Sequence, residues 1–263
     1  VSVVQLLVTR PQPQADEWVG LLRAQGVNAL ALPLIEIAAE DGGAATAAWT
    51  TLSTHRLAVF VSPNGVKSFF SARPPSVGWP AATWAGATGP GTSQVLRESG
   101  VPAAAIIEPA PDAEQFDSEA LWQQLTARSW CGQRVLVVRG DGGRDWLADR
   151  LREQGAEVAF VQAYRRTLPH LDAAQRALLA SAVAAPASHW WLFSSSQAVD
   201  HMGQLAPQSD WSSGCAMATH PRIAATLRSR GFGSVLSVRP EPDAVVAAWT
   251  RSIQSMPAPD QRP

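Results

Sequence analysis

The chain has 263 residues, enough for one large domain or two of ordinary size. It is 46% hydrophobic and 16% charged with a formal net charge of −1, which excludes a disordered or collagen-like chain. No excess of one sign favours nucleic-acid or membrane-surface binding, and the longest apolar runs, such as Ala29–Leu32 and Trp190–Phe193, are too short to span a bilayer. The opening residues Val1–Arg10 lack a signal-peptide pattern, so a cytoplasmic location is expected.

In chain order, the first strand is expected at Leu6–Thr9, followed by the turn Arg10-Pro11-Gln12-Pro13 and a helix from Ala15 to Gln25. Gly26 suits the position just past that helix, because it takes left-handed dihedrals without a Cβ penalty. Leu32–Ile37 is apolar and extended. Leu57–Val61 leads as a strand into Ser62-Pro63-Asn64-Gly65, and Ala87-Thr88-Gly89-Pro90 forms another strand-to-helix turn. Val135–Arg139 runs into Gly140-Asp141-Gly142-Gly143 and a helix ending before Gly155. Val161–Thr167 is extended and contains Tyr164, the only tyrosine. Trp191–Phe193 then meets Ser194-Ser195-Ser196, and Ala218-Thr219-His220-Pro221 closes the series. The Pro-rich tail Met256–Pro263 reads as frayed.

These pieces repeat. Leu7-Val8-Thr9-Arg10 recurs as Leu136-Val137-Val138-Arg139, Phe60 to Ser62 as Phe193 to Ser195, and Ala87-Thr88 as Ala218-Thr219, while Glu114 and Trp122 match Glu241 and Trp249. The offsets are 129, 133, 131 and 127, so the order is kept and only loop lengths drift. Repeats this long are domain-sized rather than solenoid-forming. Strands alternating with helices read as βα units, and the fold class is α/β: two similar doubly wound parallel-sheet domains.

Ligands of open parallel sheets sit beyond the carboxyl ends of the strands. Those ends carry Thr9, Ser62, Thr88, Ser194, Ser195 and Thr219, each close to a helix start where free N–H groups favour an anion. Taken singly each reads as an N-cap; taken as a set they favour an anionic ligand. The loop from Arg139 to Arg144 is Gly-rich but is neither a dinucleotide fingerprint nor a P-loop. Cys131 and Cys215 lack metal-ligand spacing and read as small buried residues. His55 and His201 read as solvated, His220 as a turn residue, and Ser62 and Ser195 lack a partnering triad. With Lys67 the only lysine, a Schiff base is nearly excluded, and the abundant arginines suit carboxylates.

In order and spacing, Leu7-Val8-Thr9-Arg10-Pro11, Leu32-Pro33-Leu34-Ile35-Glu36-Ile37, Phe60 to Val66, Thr88 to Thr92, Phe116 to Leu121, Arg139-Gly140, Ala163-Tyr164-Arg165, Phe193-Ser194-Ser195 and Ala218-Thr219 resemble the uroporphyrinogen-III synthase family. The resemblance implies two α/β domains joined by a two-stranded connector, about residues 32–37 and 161–168. One domain would hold residues 1–33 plus 169–263, the other 38–162. It implies cyclisation of the linear tetrapyrrole hydroxymethylbilane with loss of water and inversion of ring D, by a monomer without metal or organic cofactor, in passing contact with the preceding pathway enzyme. Tyr164 would be catalytic, assisting departure of the hydroxyl group. Thr9, Arg10, Ser62, Thr88, Gly89, Arg139, Gly140, Arg144, Arg165, Ser194, Ser195, Thr219 and Arg222 would bind the substrate's eight carboxylates or line their cleft. His220 stands where the family often has glycine, and Ser194-Ser195-Ser196 replaces the usual Ser-Pro turn. A two-lobed binding or sensor module, or an inactive family member, are the competing readings.

Overall fold

The structure is a computed structural model and describes residues 4–40 and 43–254; the tail Met256–Pro263 lies outside them. Its strands are β1 (Gln5–Val8), β2 (Ala29–Ala31), β3 (Glu36–Ala39), β4 (Leu57–Phe60), β5 (Trp84–Ala87), β6 (Ile106–Ile107), β7 (Arg134–Gly140), β8 (Glu157–Thr167), β9 (His189–Phe193), β10 (Cys215–Ala218) and β11 (Ser234–Ser237). Its helices are α1 (Gln14–Ala24), α2 (Ala44–Thr51), α3 (Pro63–Ser71), α4 (Pro90–Glu98), α5 (Ser118–Leu125), α6 (Trp146–Glu153), α7 (Ala173–Ala184), α8 (Ser196–Leu205), α9 (Pro221–Ser229) and α10 (Pro242–Gln254). The chain divides into two compact units: one takes the residues up to Glu36 and from Thr167 onward, the other Ile37–Arg166.

The first unit holds a five-stranded sheet in the order β11-β10-β9-β1-β2, and the second a six-stranded sheet in the order β3-β8-β7-β4-β5-β6. The strand pairs with a described register are all parallel. If β1 is matched with β7 and β9 with β4, as the sequence repeat demands, both sheets share the doubly wound order 2-1-3-4-5, with β3 added at the edge of the second beside β8. In the first unit the first two strands precede the other three in the chain; in the second they follow them. The units are therefore circular permutations of one plan.

Burial explains the strands. β4 reads Leu57-Ala58-Val59-Phe60 and every residue is fully buried, the mark of a central parallel strand covered on both faces. Ala58 and Phe60 join Leu136, Val138 and Phe69 on one face, while Leu57 and Val59 join Val135, Val137 and Trp130 on the other. Burying a side chain such as Phe60 contributes about 1.5–3 kcal/mol. In the first unit Leu6 and Val8 share one core with Trp190, Leu192 and Trp249. Trp191 stacks on Phe193 and Trp211 on Phe232 in the same unit, and the two stacks meet edge-on.

The helices start and stop for local reasons. Ser62 caps α3 with Pro63 in its first turn, Asp117 caps α5, and Asp172 forms a capping box with Gln175 on α7. Gly26 and Gly155, paired by the repeat, end α1 and α6 with φ of 81° and 83°. Residues Leu32–Ile35 form no strand, although the extended connector was expected to begin at Leu32. Pro33 has no N–H to give a ladder, and Leu34 is tied to the first unit instead: its N–H donates to the Thr9 carbonyl and its carbonyl lies 2.6 Å from His201 Nδ1.

Candidate active site

In a sheet of this order, the binding crevice opens beyond the strand ends where the direction of winding reverses. In the second unit that point lies between β4 and β7. β4 runs out through Val61 to Ser62, whose Oγ accepts the Gly65 N–H at 3.1 Å and lies 2.8 Å from the Tyr164 hydroxyl. Tyr164 arrives from β8 by a bulge. Arg139 pairs with Gln162 but the next residue, Gly140, pairs with Tyr164, so Ala163 is left as the extra residue. The bulge breaks the in-out alternation, which is why Ala163 and Tyr164 are both buried. The ring packs directly against Gly140. A Cβ at that position would come within 2.8 Å of Tyr164 Cε2 and Cζ, so glycine is what lets the phenol approach.

Tyr164 is only 2% exposed, and its hydroxyl is held by Ser62. Tyr164 is thus a ring packed in the second unit's core with its polar end at a strand terminus. Thr88 is buried past the end of β5, its N–H reaching the Phe60 carbonyl, and Gly89 begins α4 against Phe116. Gly140 leads into Asp141, whose carboxylate takes the Arg166 N–H at 2.8 Å.

The arginines expected to bind carboxylates prove unequal. Arg139 pairs with Asp145 and its guanidinium lies 4.0 Å above the Phe160 ring. Arg144 is forked onto both oxygens of Glu119, which holds its pKa above the usual arginine value. Arg165 pairs with Glu40 at 3.2 Å. Each of these charges already has an acid of the same unit beside it.

In the first unit the corresponding point lies between β1 and β9. Thr9 is 1% exposed and its hydroxyl donates to the Leu192 carbonyl at 2.8 Å, so it ties the two strand ends together and has no free proton for a ligand. Arg10 follows, with its guanidinium 4.1 Å over the Trp18 ring and its pKa lowered to about 10 by burial. Ser195 caps α8 by accepting the Gln197 N–H, and Ser194 sits half-buried before it. The Thr219 N–H reaches the Phe193 carbonyl, the same bond that Thr88 makes to Phe60 in the second unit. His220 caps α9 through Nδ1, which accepts the Arg222 N–H at 3.1 Å, and the Arg222 side chain is exposed. The imidazole thus does the work that a Ser or Asp usually does.

Sequence expectations for two histidines and two cysteines are corrected. His55 and His201 are buried rather than solvated, each with Nδ1 against a main-chain carbonyl, Thr51 and Leu34 respectively. Cys131 is exposed rather than buried, and Cys215 is half-buried against the first unit's core, where burial raises its thiol above the ordinary range. Sequence reasoning missed the acids that discharge the arginines, the Trp18 platform and the bulge. Among the described residues, no group of three or more His, Cys, Asp or Glu could hold a metal ion. No helix there is long and apolar enough to cross a membrane. An open groove of about 710 Å³ beside α7, lined by Leu171, Leu179 and Leu205 among others, contains none of the candidate residues.

Comparison with known proteins gives this arrangement its context. The family model described as Uroporphyrinogen-III synthase HemD matches residues 16–247. The chain belongs to the uroporphyrinogen-III synthase family. Uroporphyrinogen-III synthase of Salmonella typhimurium is 34% identical over 178 residues, covering 66% of this chain and 70% of that protein. The Escherichia coli enzyme is 30% identical over 177 residues with the same coverage. Among solved structures, a mutant uroporphyrinogen III synthase from Thermus thermophilus matches with a TM-score of 0.60 at 17% identity, covering 97% of this chain and 100% of that one. Uroporphyrinogen-III synthetase from Helicobacter pylori matches with a TM-score of 0.58 at 15% identity, covering 95% and 100%. At those identities the solved structures speak for the two-domain α/β fold that this family member shares.

Proposed function

We propose that the chain is a cyclising hydro-lyase of tetrapyrrole biosynthesis, converting hydroxymethylbilane to uroporphyrinogen III with loss of water and inversion of ring D. The observation that carries this reading is the family match across residues 16–247. In the reaction the hydroxymethyl C–O bond breaks, the oxygen leaves as water after taking up a proton, and an azafulvene-like cation remains. For ring D to end inverted, its already substituted α-carbon attacks the cation. The bond from that carbon to its old methylene bridge then breaks, and the freed methylene bonds to the other α-carbon of ring D, which loses a proton on rearomatisation. Ring closure without inversion competes, so the chief demand on the protein is to hold the chain in one folded shape.

The Ser62–Tyr164 pair is assigned the proton at the leaving oxygen. Ser62 Oγ already accepts the Gly65 N–H and has one proton to give. If it gives that proton to the phenol oxygen 2.8 Å away, the Tyr164 O–H is left to donate to the departing hydroxyl. A phenol is a weak general acid near neutrality, so its loss slows the reaction without ending it. Thr88, Gly89 and Gly140 shape the strand ends of the second unit, and Ser194, Ser195 and Thr219 those of the first; each set is assigned to substrate binding. The enzyme works as a monomer in the cytoplasm, taking its substrate in passing contact with the enzyme that makes it.

The test is product analysis: generate hydroxymethylbilane in situ, add the protein, oxidise, and separate the uroporphyrin isomers. Predominant isomer III is expected, at a lower rate for Tyr164→Phe. Isomer I alone, formed at the uncatalysed rate, overturns the enzymatic reading.

A further inference from the structure

Five arginines stand near the strand ends, and charge balance separates them. Arg139, Arg144 and Arg165 are matched by Asp145, Glu119 and Glu40. The Arg222 side chain is exposed. Arg10 is different. Its Nε is shut off from water with no hydrogen-bond acceptor, and among the described residues no carboxylate pairs with its side chain. The contact that holds it is the Trp18 ring, 4.1 Å from the guanidinium carbon.

A desolvated cation without a partner is costly, and a cation–π contact offsets only part of that cost. The group stays charged all the same, because a pKa of about 10 leaves it protonated at neutral pH. The internal repeat makes the contrast sharper. Arg10 and Arg139 end matching strands, β1 and β7, beside the matching neighbours β9 and β4. Both copies set the guanidinium over an aromatic ring, Phe160 and Trp18, but only Arg139 also has an acid beside it. The platform fixes the plane of the guanidinium, so little freedom is lost when a planar anion docks edge-on.

We propose that Arg10 is the carboxylate anchor of the first unit, its guanidinium left unpaired to receive one side-chain carboxylate of the substrate, while Arg139, Arg144 and Arg165 are neutralised internally and do not bind it. This rests on the functional reading above, in which the ligand carries eight carboxylates. It assigns the positioning charge to a residue far along the chain from the Ser62–Tyr164 pair. The prediction is a separation of effects: the anchor governs substrate affinity, and the phenol governs the rate once substrate is bound.

The experiment compares Arg10→Met and Arg10→Lys with wild type in KM and kcat for isomer III formation, and in thermal midpoint with and without uroporphyrinogen III under reducing conditions. Arg230→Met, which removes a charge from the exposed pair with Asp200, controls for net charge. Arg10→Met should have a midpoint in the absence of ligand at or above wild type, since it removes a partly buried cation whose Nε has no acceptor. Its KM should rise tenfold or more, equivalent to about 1.4 kcal/mol, and the product-induced rise in midpoint should shrink. Arg10→Lys keeps the charge without the fork, so it should raise KM while leaving kcat near wild type. Wild-type KM and wild-type product stabilisation in both Arg10 variants would overturn the anchor. So would a lowered midpoint in Arg10→Met with unchanged KM, which would make the residue structural. A wild-type protein that forms no isomer III overturns the functional reading first and takes this inference with it.

Discussion

Substituting Gly140 by alanine tests the site's geometry at its tightest point. The new Cβ would lie 2.8 Å from Tyr164 Cε2 and Cζ, where ordinary contacts begin at 3.4 Å, so the ring must retreat by about 0.6 Å. It has little room to do so, being 2% exposed and packed in the core with Phe69, Val138 and Val161. The same shift would stretch the 2.8 Å bond to Ser62 toward the limit of a hydrogen bond. Overpacking costs roughly 1–3 kcal/mol and the weakened hydrogen bond about 1 more. Alanine is favoured over glycine within a strand by roughly 0.5–1 kcal/mol. The net expectation is a destabilisation of about 1–3 kcal/mol, read from urea denaturation. The cause is isolated by repeating Gly140→Ala in a Tyr164→Leu background, where the crowding atoms are gone and most of the penalty should vanish. Equal costs in the two backgrounds, or a stabilised single variant, would refute the reasoning.

Two further outcomes follow from polar groups away from the phenol. Burial, the main cause, holds the His55 imidazole below its ordinary pKa, helped by Arg134 and opposed by the bond to the Thr51 carbonyl. The unfolded chain therefore binds a proton near pH 6.5 that the folded chain resists, so stability is full above that pH and declines as the pH falls below it. His55→Gln should flatten the urea midpoint between about pH 8 and pH 5, and an unchanged slope would count against the assignment. His220→Ala should cost about 0.5–2 kcal/mol by uncapping α9, and His220→Ser should restore most of it; equal thermal midpoints for the two variants would show that Nδ1 is no cap.

Much of the fold is legible in the sequence because parallel sheets write themselves in local patterns. Fully apolar runs such as Leu57–Phe60 and Trp190–Phe193 mark central strands, and Gly26 and Gly155 mark equivalent helix ends. The duplication is visible for the same reason: Arg10 and Arg139 follow matching strands. What stays hidden depends on long-range partners. Asp145, Glu119 and Glu40 are unremarkable surface acids until folding sets them beside Arg139, Arg144 and Arg165. Thr9 looks like any strand-end hydroxyl until its bond to Leu192, 183 residues away, is known. The strand start at Leu32 failed because a proline and a long-range bond to Thr9 outweighed apolar propensity.

The permuted arrangement has a consequence for how the chain comes off the ribosome. β1 is a central strand, flanked by β2 and β9, yet β9 begins only at His189. The whole of the second unit, Ile37–Arg166, is synthesised before that partner exists, so it can complete its sheet while β1 still waits. Its entry strand β3 and exit strand β8 are hydrogen-bonded neighbours, which brings the two crossing points together once this sheet forms. A long intervening stretch of polypeptide then behaves as a short bridge, and the entropy of closing the first unit falls accordingly. The inserted unit thus acts as an internal template that gathers the two halves of its sibling.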